Sequence, residues 1–360
     1  MDIIETDVVR VVFDPEGGVI AEVIFKHGGR QISPLHKAPW VRDNEQLNTG
    51  IPLIERKLAG DFFCAPFALP SAEVPLHGWT ANGDWAASPD AQQAGVGLYR
   101  LRQNVQGGLA TKEIRLHPGH PVVYQTHTIT GGTGTIPIAH HTMLHVPGGV
   151  SLSFSDKRFG STGPCAPETD PSRGRSILAY PQTFDTLSSI RKSDGSVTDA
   201  SRYPFETRHE DVVVLTEKQG ASFGWSAALA AKDGFIFFSV KDALVLPHTV
   251  LWMSNGGRAY PPWSGRHTAV LGIEEAAISF HLPDTHTADM NVALGLDLAP
   301  GRTTKIRYAF GAIEVPSGWT RVSEISLADG VLIISDEAGR RCTIPFDCRF
   351  LDYDRNSTSF

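Results

Sequence analysis

The sequence is 360 residues long, with 41% hydrophobic and 20% charged residues and a formal net charge of −7. That composition excludes a disordered or collagen-like chain and provides for a sizeable core. Lys and Arg are scattered, so no basic stripe can neutralise a row of phosphates, and no nucleic acid partner is expected. No window approaches the roughly 18 consecutive apolar residues that span a bilayer, so no membrane partner is expected either. The opening Met1-Asp2-Ile3-Ile4-Glu5 lacks the basic start and apolar run of an export signal, and the expected location is cytoplasmic. The four cysteines, Cys64, Cys165, Cys342 and Cys348, form no Cys-x-x-Cys pair and no disulfide framework, so reduced thiols and no structural zinc are expected. Asn356-Ser357-Thr358 matches a glycosylation acceptor, to which a cytoplasmic chain gives no role.

Short runs of alternating or β-branched residues, punctuated by Gly, Pro, Asp and Asn, predict an all-β fold. Val8 to Phe13 and Val19 to Lys26, joined by Asp14-Pro15-Glu16-Gly17-Gly18, read as an opening hairpin. Strands are then expected at residues 97–103, 110–116, 122–130, 136–146, 211–216, 222–228, 235–240, 249–253 and 269–273. Residues 276–282, 290–298, 303–312, 330–335 and 341–345 continue the series. Ser155 to Pro181 and Ser193 to Pro204 read as long loops, of the length that often serves as a functional lid. No fixed-period repeat and no linker composition interrupts the series, so a single domain over 1–360 is expected, built from two large antiparallel sheets face to face.

Three polar clusters stand out. In a strand, side chains alternate between faces, so Ile138 to Val146 presents His141, Met143 and His145 on one face. Two imidazoles on that face could bind two polar groups of a ligand, or simply pack at the sheet surface. Pro75-Leu76-His77-Gly78-Trp79 begins the second cluster, in which tryptophans flank polar groups. That combination suits a sugar, whose ring has an apolar C–H face and a rim of hydroxyls. The third runs from Leu246 through Trp252 to Gly257, adds Trp263, and closes on Leu271-Gly272-Ile273-Glu274-Glu275.

In their order and approximate spacing, these clusters resemble the aldose 1-epimerase (galactose mutarotase-like) superfamily. Leu76-His77-Gly78 resembles its early His-Gly turn, and His141-Thr142-Met143-Leu144-His145 is similar to its central strand. Gly272-Ile273-Glu274 resembles the late glycine-apolar-glutamate motif, and Leu298 to Thr303 looks like the proline-glycine turn before its closing strand. The resemblance implies a β-supersandwich, with Glu274 as general base and His141 as the catalytic histidine. It further implies His77, His145, Trp252 and Asp211 as substrate contacts. No metal or organic cofactor is implied, and the oligomeric state would be a monomer or homodimer. No Asn-Arg pair precedes the His-Gly turn, Met143 stands where many relatives have an aromatic, and Glu275 stands where many have proline, so the branch is a divergent one.

The implied reaction interconverts the α and β anomers of an aldose. It needs the anomeric hydroxyl proton removed while the ring oxygen is protonated. A carboxylate of reference pKa about 4.3 and an imidazole of about 6.5 suit those two tasks. Three alternatives stay open. A hexose-phosphate epimerase would clamp its sugar phosphate with arginines such as Arg158, Arg173 and Arg175. A carbohydrate-binding protein would keep the cleft without the chemistry. A glycoside hydrolase would need two carboxylates flanking one bond, whereas adjacent Glu274 and Glu275 point to opposite faces of a strand.

Overall fold

The computed structural model describes residues 1–88, 93–282 and 292–351. Two large antiparallel sheets dominate it, one of seven strands and one of nine. The seven-stranded sheet runs, from edge to edge, Gln182–Phe184, Lys157–Thr162, His209–Glu217, His248–Asn255, Val270–Ala277, Ile138–His145 and Phe63–Cys64. Its alternation assigns Val213, Leu215, Leu251, Met253, Leu271, Ile273 and Leu144 to the core between the sheets. There they meet Phe235, Phe237, Tyr308, Phe310 and Ile129 from the nine-stranded sheet. The all-β fold of two large antiparallel sheets expected from the alternation is what the chain forms, and its only α-helices among the described residues are the four-residue turns Pro39–Arg42 and Leu53–Arg56.

Both outer faces are covered. The strands Val322–Ala328, Val331–Asp336 and Arg341–Pro345 form a small sheet that buries Val322, Ile325, Leu332 and Ile334 against Trp225, Phe238 and Tyr124 of the nine-stranded sheet. The stretch between Leu35 and Phe67 lies across the seven-stranded sheet and buries Trp40, Ile54, Leu58, Phe62 and Phe67 against Met143, Val250 and Trp252. That second cover turns an open sheet face into a walled one.

The opening hairpin pairs Val9–Asp14 with Val19–His27, and its glycines Gly17 and Gly18 take φ of 93° and 65°. Several expected boundaries are corrected. Ser155 to Pro181 is not all loop, because Lys157–Thr162 pairs into the seven-stranded sheet; its Lys-Arg-Phe-Gly-Ser-Thr sequence has too little alternation to announce a strand. Ser193 to Pro204 likewise contains the two-residue strands Val197–Thr198 and Arg202–Tyr203. The expected break between 273 and 276 is absent, and Val270–Ala277 is one continuous strand carrying both glutamates. Glu275 is tolerated inside because it faces the nine-stranded sheet, where Lys241 Nζ lies 2.5 Å away and Thr249, Ser226 and Ser239 donate to it. Of the strand expected at 290–298, Leu296–Leu298 pairs with Gly134–Ile136; Met290 lies outside the described residues, as does Asn356-Ser357-Thr358. No described helix is long and apolar enough to cross a membrane.

Candidate active site

The covered face of the seven-stranded sheet encloses a cavity of about 230 Å³. Strand register composes its floor. His141 lies directly across from Glu274, Glu274 from Val250, and Val250 from Val214, in one row over four strands. The neighbouring row reads Met143, Gly272, Trp252 and Val212. The cover contributes Ile54, Glu55, Leu58, Phe67, Leu76 and His77, and the rim adds Arg258, Trp263, Phe280 and His281.

At the centre, His141 Nε2 is 3.3 Å from Glu274 Oε1, and the two side chains are only 7% and 3% exposed. The His141 ring stacks on Phe62 at 4.5 Å and meets the indole of Trp252 edge-on at 5.5 Å. Burial pushes the Glu274 carboxyl well above the usual carboxylate range and pulls the His141 imidazole down to about 4. Both groups therefore resist charging, which favours a proton shared between them.

The glycine of Gly272-Ile273-Glu274 has a steric reason. Gly272 and Glu274 point to the same face, and a methyl group at Gly272 would sit 2.7 Å from Glu274 Oε1 and 3.0 Å from Trp252 Cβ. Gly272→Ala is expected to displace the carboxyl from His141 and lower catalytic efficiency about 10²-fold. The fold should persist, since Ala is readily held in a strand. Steady-state rates together with far-UV circular dichroism check this; unchanged rates would show that the carboxyl position is not constrained by this residue.

His77 enters from a turn in which both His77 and Gly78 have positive φ, 65° and 75°. Only glycine fits at the second position, because a Cβ there would lie 2.2 Å from the Ala65 carbonyl oxygen. The turn aims His77 at His141, with ring centroids 5.2 Å apart, while Phe67 stacks on its other side at 5.5 Å. Its Nδ1 has no protein partner. Burial, with His141 and Arg258 adding to it, holds His77 well below the usual imidazole range, so it is neutral.

The structure thus brings His77, His141, Trp252 and Glu274 around one cavity. Two expected substrate contacts are corrected. Asp211 is fully buried on the other face of its strand, between the sheets, where it accepts from His209 Nδ1 at 2.8 Å, from the backbone N–H groups of Ile177 and Leu178, and from the Tyr180 hydroxyl. It fastens the 163–181 loop to the sheet. The acid beside the cavity is its neighbour Glu210, which accepts from Trp252 Nε1 and from Ser254 Oγ at 2.8 Å and pairs with Arg258 Nη2 at 3.3 Å. A one-residue slip in register exchanges the faces, and this slip separates the two acids. His145 shares the face of His141 but is exposed at the strand end, beyond the point where the chain crosses overhead: the His36 N–H donates to Met143 O and the His145 N–H to Pro34 O. Its ring neighbour is His36, at 5.8 Å, and the cavity does not reach it.

Arg258 and Glu55 were not visible as site residues in the sequence. Arg258 follows Asn255-Gly256-Gly257, where a Cβ on Gly257 would lie 2.2 Å from the His209 carbonyl carbon, so the turn passes close over the neighbouring strand. The guanidinium lies 4.5 Å from the Trp263 ring centre and is held by Glu210 and by Glu168, each at 3.3 Å. The long loop thus supports the site through Glu168 and through backbone bonds between Arg173, Arg175 and the Gly257–Ala259 segment, but lines no part of the cavity. Among the described residues no group of three or more His, Cys, Asp or Glu could hold a metal ion.

Comparison with family models finds none that matches the sequence. No curated protein matches it either. Solved structures do resemble it. A galactose mutarotase related enzyme from Lactobacillus acidophilus superposes with a TM-score of 0.52 at 11% identity, over 86% of this chain and 96% of its own. A protein from Escherichia coli K12, proposed as an aldose 1-epimerase, superposes with a TM-score of 0.58 at 13% identity, over 87% and 98%. A TPR-domain containing protein from Parabacteroides distasonis gives 0.52 at 13%, over 90% of this chain but 49% of its own, so there the fold is part of a longer chain. The chain has the galactose mutarotase-like fold, at an identity that marks a divergent version of it.

Proposed function

We propose that the protein is an aldose 1-epimerase, interconverting the α and β forms of a cyclic aldose. The observation that carries this reading is the His141–Glu274 pair. Two groups able to transfer protons face each other across adjacent strands, both nearly buried, at the floor of a cavity of about 230 Å³. One group removes the proton from the anomeric hydroxyl while the other delivers a proton to the ring oxygen. The C1–O5 bond then breaks, the aldehyde end rotates, and the reverse transfers close the ring on its other face. The pair starts and ends with one proton, so no cofactor is consumed.

The pair has two tautomers. With the proton on His141, Glu274 is the base and His141 the acid; with it on Glu274, the roles exchange. Either tautomer serves a reaction that runs in both directions. Trp252 offers its indole face to the ring, and His77 is placed to hydrogen-bond a ring or anomeric oxygen. Glu275 cannot join Glu274 across a glycosidic bond, because it faces the other sheet and is bound to Lys241, which disfavours hydrolysis. Arg158, Arg173 and Arg175 are absent from the cavity lining, and Arg173 lies over Tyr260 at 4.0 Å; the phosphate-clamping alternative loses its clamp.

Polarimetry of freshly dissolved α-anomers tests the reading. Acceleration proportional to enzyme concentration supports it, and saturable binding without acceleration would move the protein to a carbohydrate-binding role. The pH profile is a second check. Because burial lowers His141 to about 4, kcat/KM should stay level as pH falls through 6.5, down to the acid unfolding of the protein. A half-loss centred near 6.5 would show an imidazole of ordinary basicity in control.

A further inference from the structure

Resting on the epimerase reading, we propose that the substrate is an uncharged, deoxygenated sugar: a cyclic hemiacetal lacking at least one hydroxyl of an ordinary hexose. The floor carries the argument. A ring whose anomeric and ring oxygens engage His141 and Glu274 must extend across the sheet, and the next strand, about 4.8 Å away, presents Val250. Diagonally beyond lie Trp252 and Val212, both in the lining, and from the cover Ile54 and Leu58 close on the same space. None of the four aliphatic side chains can donate or accept a hydrogen bond. The Trp252 indole N–H is already given to Glu210, so this residue offers only its ring.

The remaining polar groups are few: Glu55, His77 and His281, the two imidazoles each with a free Nδ1, and Arg258, which is committed. Arg258 is held by Glu168 and Glu210, which match its charge and leave none for an anionic ligand. Burial raises the Glu55 carboxyl, so it too favours an uncharged partner. A fully hydroxylated hexose would place hydroxyls against valine, leucine and isoleucine, and each one left unpaired weakens binding. A methyl or methylene at those positions is matched instead. The discrimination available to such a wall is about 10- to 100-fold, the range over which an apolar pocket rejects an added hydroxyl.

The test compares glucose and galactose with their 2-deoxy, 6-deoxy and 2,6-dideoxy forms, reading kcat/KM for anomer exchange by NMR and equilibrium affinity by calorimetry. At least one deoxy sugar should exceed its parent about tenfold or more in both readouts, and Val250→Thr, which adds a hydroxyl at nearly constant size, should narrow that ratio. Parent hexoses equal to or better than every deoxy form would overturn the proposal. If no sugar is turned over, the affinities still decide it: tighter binding of a deoxy form upholds the apolar-wall specificity while the epimerase reading fails, and equal or weaker binding removes both.

Discussion

Glu274→Gln and His141→Ala are each expected to lower kcat/KM for anomer interconversion by about 10²–10⁴-fold, the usual contribution of one positioned acid or base. The double variant should lose little more than the worse single variant, because the two groups act through one shared proton and such losses do not add. Stability should move the other way for Glu274→Gln. The carboxyl is raised above its ordinary value in the folded protein, whereas the unfolded chain ionises freely above pH about 4.5. At neutral pH the folded state is therefore penalised for keeping Glu274 protonated, and glutamine removes that penalty without changing shape. A higher Tm accompanied by lost activity would mark Glu274 as a functional group held at a stability cost. Lower Tm and unchanged activity would make it a structural residue.

The protein should lose stability as the pH falls below about 6.5, before ordinary carboxylates begin to be protonated. Six deeply buried histidines are held below the imidazole range, chiefly by burial: His36 and His248 at about 3, His141 at about 4, and His77, His127 and His267 well below. In the unfolded chain each binds a proton once the pH falls below about 6.5, whereas in the fold each stays neutral. The stability they permit is complete above that pH and is lost below it, at about 1.4 kcal/mol per pH unit per histidine. Glu274, Glu55 and Glu210 act in the opposite sense above about pH 4.5, since burial raises all three. The lowered histidines outnumber these glutamates, so the net effect is a loss of stability as pH falls below about 6.5. Against a typical 5–15 kcal/mol of total stability, this loss is large enough to lower Tm measurably on the acid side of pH 6.5. Thermal melts followed by circular dichroism across pH 3 to 8 check this. A Tm that holds level as pH falls below about 6.5 would mean that these imidazoles are protonated without disruption.

The strand pattern was legible because alternation survives wherever one face is buried. The order of the His-Gly turn, the histidine strand and the Gly-x-Glu strand identified the fold. What escaped was set by register and by distant chain. Nothing local tells Glu210 from Asp211; Trp252 had first to be paired with Val212, which places Glu210 on the cavity face and Asp211 beneath. Reading Glu274-Glu275 as the end of a strand was reasonable for paired charges. It failed because Lys241, on the other sheet, neutralises Glu275 inside the core. The wall of the cavity was the least legible part. Leu35 to Phe67 has little periodicity of its own, and its conformation comes from apolar residues such as Trp40, Ile54 and Leu58 settling on a sheet assembled from residues far along the chain.

Exchange NMR at anomeric equilibrium tests the central claim most directly, because it reads interconversion itself. With wild-type protein, cross-peaks should link the α and β anomeric protons of an accepted sugar, and Glu274→Gln at equal concentration should abolish them while sugar binding persists. Cross-peaks of equal strength with the variant, or none with wild type despite saturable binding, would contradict the assignment of proton transfer to the His141–Glu274 pair.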